Sequence, residues 1–146
     1  MTRFDKDFAV FILTHGRADK VVTYEVLRKQ GYTGRIYLMV DDEDKQIDDY
    51  KRLYGDEVIV FSKQKAMDMT DAGDNFKRRN SVVYARNYNF TVADELGLKY
   101  FLQLDDDYTN FAFAFDNDKK FLTTRRAATK SLDRVFQSCV KFLMAS

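Results

Sequence analysis

Six consecutive apolar residues, Phe8 to Leu13, form a run too short for a typical helix and without the alternation of a half-exposed strand. Such a run suits a strand covered on both faces, and hence a parallel sheet. Val21, Tyr24, Val26 and Leu27 then fall near helical spacing, with Gly31 placed to end the helix. Arg35 to Val40 reads as a second strand. Ile47, Tyr50, Leu53 and Tyr54 mark a short amphipathic helix before a third strand, Val58 to Phe61. Residues 63–74 are polar and irregular, which predicts a short helix and loop across the edge of the fold. Arg79 to Leu96 carries the strongest helical pattern. Its predicted inner face comprises Val82, Val83, Ala85, Tyr88, Asn89, Val92, Ala93 and Leu96, and Gly97 ends it. A strand from Tyr100 to Leu104 follows. Phe111, Phe113 and Phe115 alternate with other residues as in an edge strand, and Phe121 to Thr123 can pair with them. Leu132, Val135, Phe136, Cys139, Val140 and Leu143 trace a last helical stripe.

Strands and helices that alternate in this way predict an α/β fold, with a mostly parallel, Rossmann-like sheet sandwiched by helices. A short aromatic edge strand or hairpin and a C-terminal helix complete it. Ligands of such sheets bind beyond the carboxyl ends of the strands. Thr14 to Arg17, Asp41 to Asp44 and Asp105 to Asp107 each follow a predicted strand, so the fold gathers them around one cleft.

Composition narrows the class. The 146 residues fit one domain, residues 1–146, and 45% apolar with 32% charged residues excludes wholesale disorder. Lys and Arg (24) nearly balance Asp and Glu (23), so no general field draws the chain to nucleic acid or anionic membranes. Lys77-Arg78-Arg79 and Arg125-Arg126 are the local basic clusters. The single cysteine, Cys139, excludes an internal disulfide framework and is expected to pack. Neither a signal-peptide core nor a membrane-length apolar run occurs, which points to a cytoplasmic protein without a membrane partner. With no proline, Gly, Asn and Asp must carry the turns.

Three consecutive carboxylates at a strand end repel one another. Strand alternation lets Asp105 and Asp107 face one way and share a hard cation, with Asp106 turned aside. A solvated acidic turn is the competing explanation. Asp41 or Asp42 can accept hydrogen bonds from a base or ribose, or simply favour the dipole of the helix that follows. Arg86 lies mid-helix among apolar neighbours and calls for an anionic partner, a phosphate or an Asp. Arg17 can face the same anion. His15 is the only histidine, and no Gly-x-Ser-x-Gly, Gly-x-Gly-x-x-Gly or P-loop pattern occurs. Serine hydrolase, dinucleotide and P-loop readings are thereby disfavoured.

Phe11-Ile12-Leu13-Thr14-His15-Gly16-Arg17, Val40-Asp41-Asp42-Glu43-Asp44, Ala85-Arg86-Asn87 and Leu104-Asp105-Asp106-Asp107-Tyr108 occur in the order and spacing of a GT-A glycosyltransferase. More narrowly, the chain resembles the TET-associated glycosyltransferases encoded by bacteriophages, to which Asp56 to Lys63 and Gly73 to Phe76 add. The likeness covers roughly residues 8–116. The resemblance implies a GT-A fold and a DXD metal motif formed by Asp105 and Asp107 with Mn²⁺ or Mg²⁺. It further implies that Thr14 and Arg17 line the nucleotide pocket, that Asp41 and Asp42 contact the nucleoside, and that Arg86 supports the diphosphate. His15 and Asp106 join this donor-binding set. The implied donor is a nucleotide-sugar, a UDP-sugar by expectation, and the implied acceptor is a hydroxymethylated pyrimidine of phage DNA in the host cytoplasm. Only 39 residues follow Asp107, fewer than a GT-A acceptor side usually needs, and none of Asp116, Asp118 and Asp133 sits in a context that identifies a catalytic base. The expectation is therefore a single nucleotide-sugar-binding domain with a short or truncated acceptor portion. A binding module without turnover and a nucleotidyltransferase are the alternatives.

Overall fold

The computed structural model describes residues 3–70, 79, 82–127 and 130–146. After a short helix α1 (Arg3–Asp7), β1 (Phe8–Leu13) is buried along its whole length. It pairs in parallel with β2 (Ile36–Asp41) on one side and β4 (Tyr100–Asp105) on the other. The outer strand β3 (Val58–Phe61) pairs in parallel with β2, giving the order β3-β2-β1-β4.

The apolar run of β1 is continuous because both faces are covered. Phe8, Val10 and Ile12 enter one core with Leu27 of α2 (Val22–Lys29), Tyr50 of α3 (Ile47–Tyr54), and Leu132, Phe136 and Val140 of α6 (Leu132–Ala145). Ala9, Phe11 and Leu13 enter the other with Ala66 of α4 (Lys63–Asp68) and Tyr84, Val92 and Ala93 of α5 (Val82–Glu95). Strand alternation thus sorts one hydrophobic run into two cores.

The chain steps from β1 outward to β2 and β3, then returns to add β4 on the far side of β1. That reversal opens a crevice between the carboxyl ends of β1 and β4, where Leu13 is in register with Asp105. Two side-chain rungs lock α5 along β4. Buried Asn89 donates to Gln103 at 3.0 Å, and Arg86 donates to Asp105 at 2.9 Å.

β5 (Ala112–Phe115) and β6 (Phe121–Ala127) form a separate antiparallel hairpin. Its root is fixed to the end of α2, where the Gln30 side chain bonds both the backbone N–H and the carbonyl of Phe111, at 2.8 and 2.9 Å. Nearby, Gly31 has φ +89° and lies so close to Lys130 that a Cβ would sit 2.7 Å from its backbone.

Three details depart from the sequence expectation. Val82 and Leu96, assigned to the inner face of α5, are 50% and 37% exposed, and Tyr84 is buried instead. Cys139, expected to pack, is exposed and free. Strands β2 and β4 each extend one residue further, so Asp41 and Asp105 are strand residues. Gly73 to Phe76, Lys77, Arg78 and the side chain of Arg125 lie outside the described residues.

Candidate functional site

A cavity of about 410 Å³ lies over the carboxyl ends of the strands. Leu13, Met39 and Phe61 from three strand ends give it an apolar floor, and Tyr84 and Ala85 of α5 form one wall. Thr14, His15, Arg17, Asp41, Lys63, Arg79 and Asp105 to Asp107 supply the polar lining.

The β1 loop is fixed by an ordered set of hydrogen bonds. The Arg17 backbone N–H donates to the Tyr50 hydroxyl at 2.9 Å. Thr14 gives its one proton to Asp106 Oδ2 at 2.7 Å, so the 2.8 Å contact between Thr14 and Tyr50 must have the tyrosine as donor. Burial raises the Tyr50 pKa, which keeps the proton that this chain of bonds needs. Arg17 also reaches Asp106 Oδ1 at 3.4 Å, leaving its guanidinium half-exposed toward the cavity. The β4 loop is tied to α2, because Thr23 donates to the Asp105 carbonyl at 2.6 Å and accepts from the Tyr108 N–H at 2.9 Å.

The three acids therefore occupy different surroundings. Asp106 turns aside, as strand alternation predicts, and is buried under the β1 loop. Asp105 is held by Arg86. Asp107 is exposed and has no hydrogen-bond or ionic partner among the described residues. Among the described residues, no group of three or more His, Cys, Asp or Glu side chains is placed to hold a metal ion alone. The donor set of Asp105 and Asp107 is all oxygen and suits Mg²⁺ or Mn²⁺, ions that complete their shells with water and substrate phosphate.

His15 Nδ1 lies 2.7 Å from Asp41 Oδ2 and 3.5 Å from Asp44 Oδ2. A proton on Nδ1, the donor those carboxylates require, leaves Nε2 at the outer edge of a side chain 60% exposed. Asp44 also accepts from the Gly16 N–H at 2.7 Å. Asp41 accepts from the Glu43 N–H and has the Lys63 ammonium 3.6 Å away.

Thr14, His15, Arg17, Asp41, Asp105, Asp106 and Asp107 are thus brought together. Asp42 is not, because its carboxylate accepts from the Lys63 N–H at the start of α4, outside the cavity lining. Arg86 is half-exposed rather than buried; its partner is Asp105, and it too lies outside the lining. None of Asp116, Asp118 and Asp133 lines the cavity. Lys63 and Arg79 do; the sequence marks Arg79 only within a basic cluster and Lys63 only as the end of the stretch Asp56 to Lys63. Lys63 stands two residues beyond β3, so the strand-end rule that selected the other loops would have found it. Arg79 reaches in by pairing with Glu43 and donating to Gln64 at 2.7 Å.

The crevice at a strand-order reversal, with acidic and cationic groups on neighbouring strand ends, is the binding place of an α/β enzyme. The family model of the TET-Associated Glycosyltransferase matches residues 8–146, and the chain belongs to that family. It is accordingly a glycosyltransferase. No curated protein and no solved structure matches it at a significant level. Among the described residues no helix is long and apolar enough to cross a membrane.

Proposed function

We propose that the cavity binds a nucleotide-diphosphate sugar, UDP-linked, and that the enzyme transfers the sugar to the hydroxyl of a hydroxymethylated pyrimidine in DNA. One observation carries the donor reading: anion-holding and cation-holding side chains from all four strand ends converge on one apolar-floored cavity. At about 4.8 Å per strand spacing, four strand ends span about 14 Å, room for a nucleotide laid across them. The nucleoside lies toward β2 and β3, where Asp41, His15 and Lys63 stand beside the Phe61 ring. The diphosphate lies toward β4.

Asp105 and Asp107 would hold the divalent ion, which when bound offsets charge on the departing diphosphate. Arg17 and Arg79 add positive charge facing the same space. Arg86 acts indirectly by fixing the Asp105 carboxylate, and Thr14 with Tyr50 keeps the β1 loop at its height above the sheet. The acceptor rests on family membership, and the transfer replaces the anomeric carbon's bond to diphosphate with one to the acceptor oxygen.

Calorimetric titration with UDP and UDP-sugars, with and without Mn²⁺ or Mg²⁺, tests the donor site. Metal should strengthen UDP binding in the wild type but not in the Asp105→Ala/Asp107→Ala variant. Identical behaviour of the two proteins would remove the metal assignment. Transfer of radiolabelled sugar to hydroxymethylated, but not unmodified, DNA tests the acceptor.

A further inference from the structure

The β5–β6 hairpin follows the Asp105 to Asp107 loop and takes no part in the cavity. Phe113, Phe115 and Phe121 are 36%, 56% and 61% exposed. Phe115 and Phe121 meet edge to face across the strands, with centroids 5.7 Å apart. One pair along, the Arg126 guanidinium lies 5.8 Å from the Phe113 centroid. Both are cross-strand pairs, Phe115 with Phe121 and Phe113 with Arg126, in a ladder with one irregularity between them. The hairpin thus presents rings and a guanidinium side by side to solvent.

Its charge is also out of proportion to the chain. Residues 112–127 contain Lys119, Lys120, Arg125 and Arg126 against Asp116 and Asp118, a net charge of +2 in a protein whose total is +1. Asp116 is committed locally, since its carboxylate accepts from the Asp118 and Lys120 backbone N–H groups, both at 2.9 Å. Exposed rings interleaved with cations match a ligand that alternates flat bases with phosphates. Duplex DNA hides its base faces, whereas an unpaired strand offers them. A second copy of this chain would meet the face with like charge.

We propose that this hairpin is a stacking platform for single-stranded or locally unpaired polynucleotide, with bases on Phe113, Phe115 and Phe121 and phosphates on Arg126, Lys119 and Lys120. Tyr108, 40% exposed and tilted against Phe111 with ring centroids 6.0 Å apart, lies between the platform and the carboxylate loop. The inference rests on the DNA-acceptor reading only for its purpose; binding itself is measurable without transfer.

The test is fluorescence anisotropy of the full chain with a labelled oligothymidine of about 12 nucleotides and with a duplex of equal length. The single strand should bind more tightly. A Phe113→Leu/Phe115→Leu/Phe121→Leu variant should bind it at least about tenfold more weakly, and the matching Tyr variant should restore binding. Arg126→Gln should lower the slope of log affinity against log salt by about 0.7. UDP titration of each variant reports folding and leaves the donor reading separately judged. Undiminished binding by the Leu variant, a preference for duplex, or no strand binding by wild type would each overturn the platform. So would a Leu variant that changes only self-association in sedimentation.

Discussion

Asp106 and Asp107 are neighbours in sequence and opposites in surroundings, which separates what their removal should do. Asp106→Ala strips the acceptor from a buried Thr14 hydroxyl and should cost about 1–3 kcal/mol in urea unfolding. Asp107→Ala should cost less than about 0.5 kcal/mol while abolishing the metal dependence of UDP binding. Equal destabilisation by both would contradict the distinct roles. Glu43 offers a pH test. The Arg79 hydrogen bond holds its carboxyl below the usual glutamate range. A depressed folded-state pKa stabilises above the unfolded-state value, and the contribution fades as pH falls through the lowered value. Glu43→Gln should therefore lower the melting temperature slightly at neutral and alkaline pH, where Glu43 is ionised, and match the wild type in acid, so that the acid limb of melting temperature against pH flattens. The turning aside of Asp106 was legible from strand alternation alone. Its partner was not, because Thr14 stands 92 residues earlier and only the β1–β4 pairing brings the two together. Asp42 is the converse: its acidity at a strand end was visible, but the Lys63 N–H that its Oδ1 accepts from belongs to another element.

At the scale of elements, the joint between α2 and α6 is the most exacting. Gly31→Ala would force both a positive φ and a clash with the Lys130 backbone, whereas Gly97 has positive φ with open space around it. Gly97→Ala should cost about 1–2 kcal/mol and Gly31→Ala clearly more, because backbone rather than a flexible side chain must give way. Chemical denaturation of the two variants ranks them; a smaller loss for Gly31→Ala would mean that the joint yields easily. The order and type of the main elements were readable from apolar period and glycine punctuation, since β1 must be apolar throughout and the helices only along a stripe. The phase of α5 was less so. Val82 at its start and Leu96, one residue past its end, are exposed, and exposed Phe90 packs sideways on Phe101 at 5.0 Å, so apolarity does not mark one face.

For the whole molecule, the reversal of strand order concentrates ligand chemistry at one rim. Saturating UDP with Mn²⁺ at about 100 times its dissociation constant should add about 2.7 kcal/mol, a melting-point rise of roughly 5–10 °C. UDP alone should give a smaller rise, and an unchanged melting point in thermal-shift assays would argue against a donor site in this cavity. The alternation of elements made the rim legible; near-zero net charge concealed how unevenly charge is distributed along the chain.

The buried Asn89–Gln103 rung has a consequence in time. Asn89 Oδ1 has no partner among the described residues, so the amide pair is held against water with only part of its bonding capacity met. Separating α5 from β4 by less than the width of a water would leave the fully buried Asn89 amide without its Gln103 partner, making partial opening of that seam costly. The two elements should then exchange their backbone hydrogens as one unit, with matched protection. The loop bearing Asp105 to Asp107, continuous with β4, would inherit a platform that opens rarely and all at once.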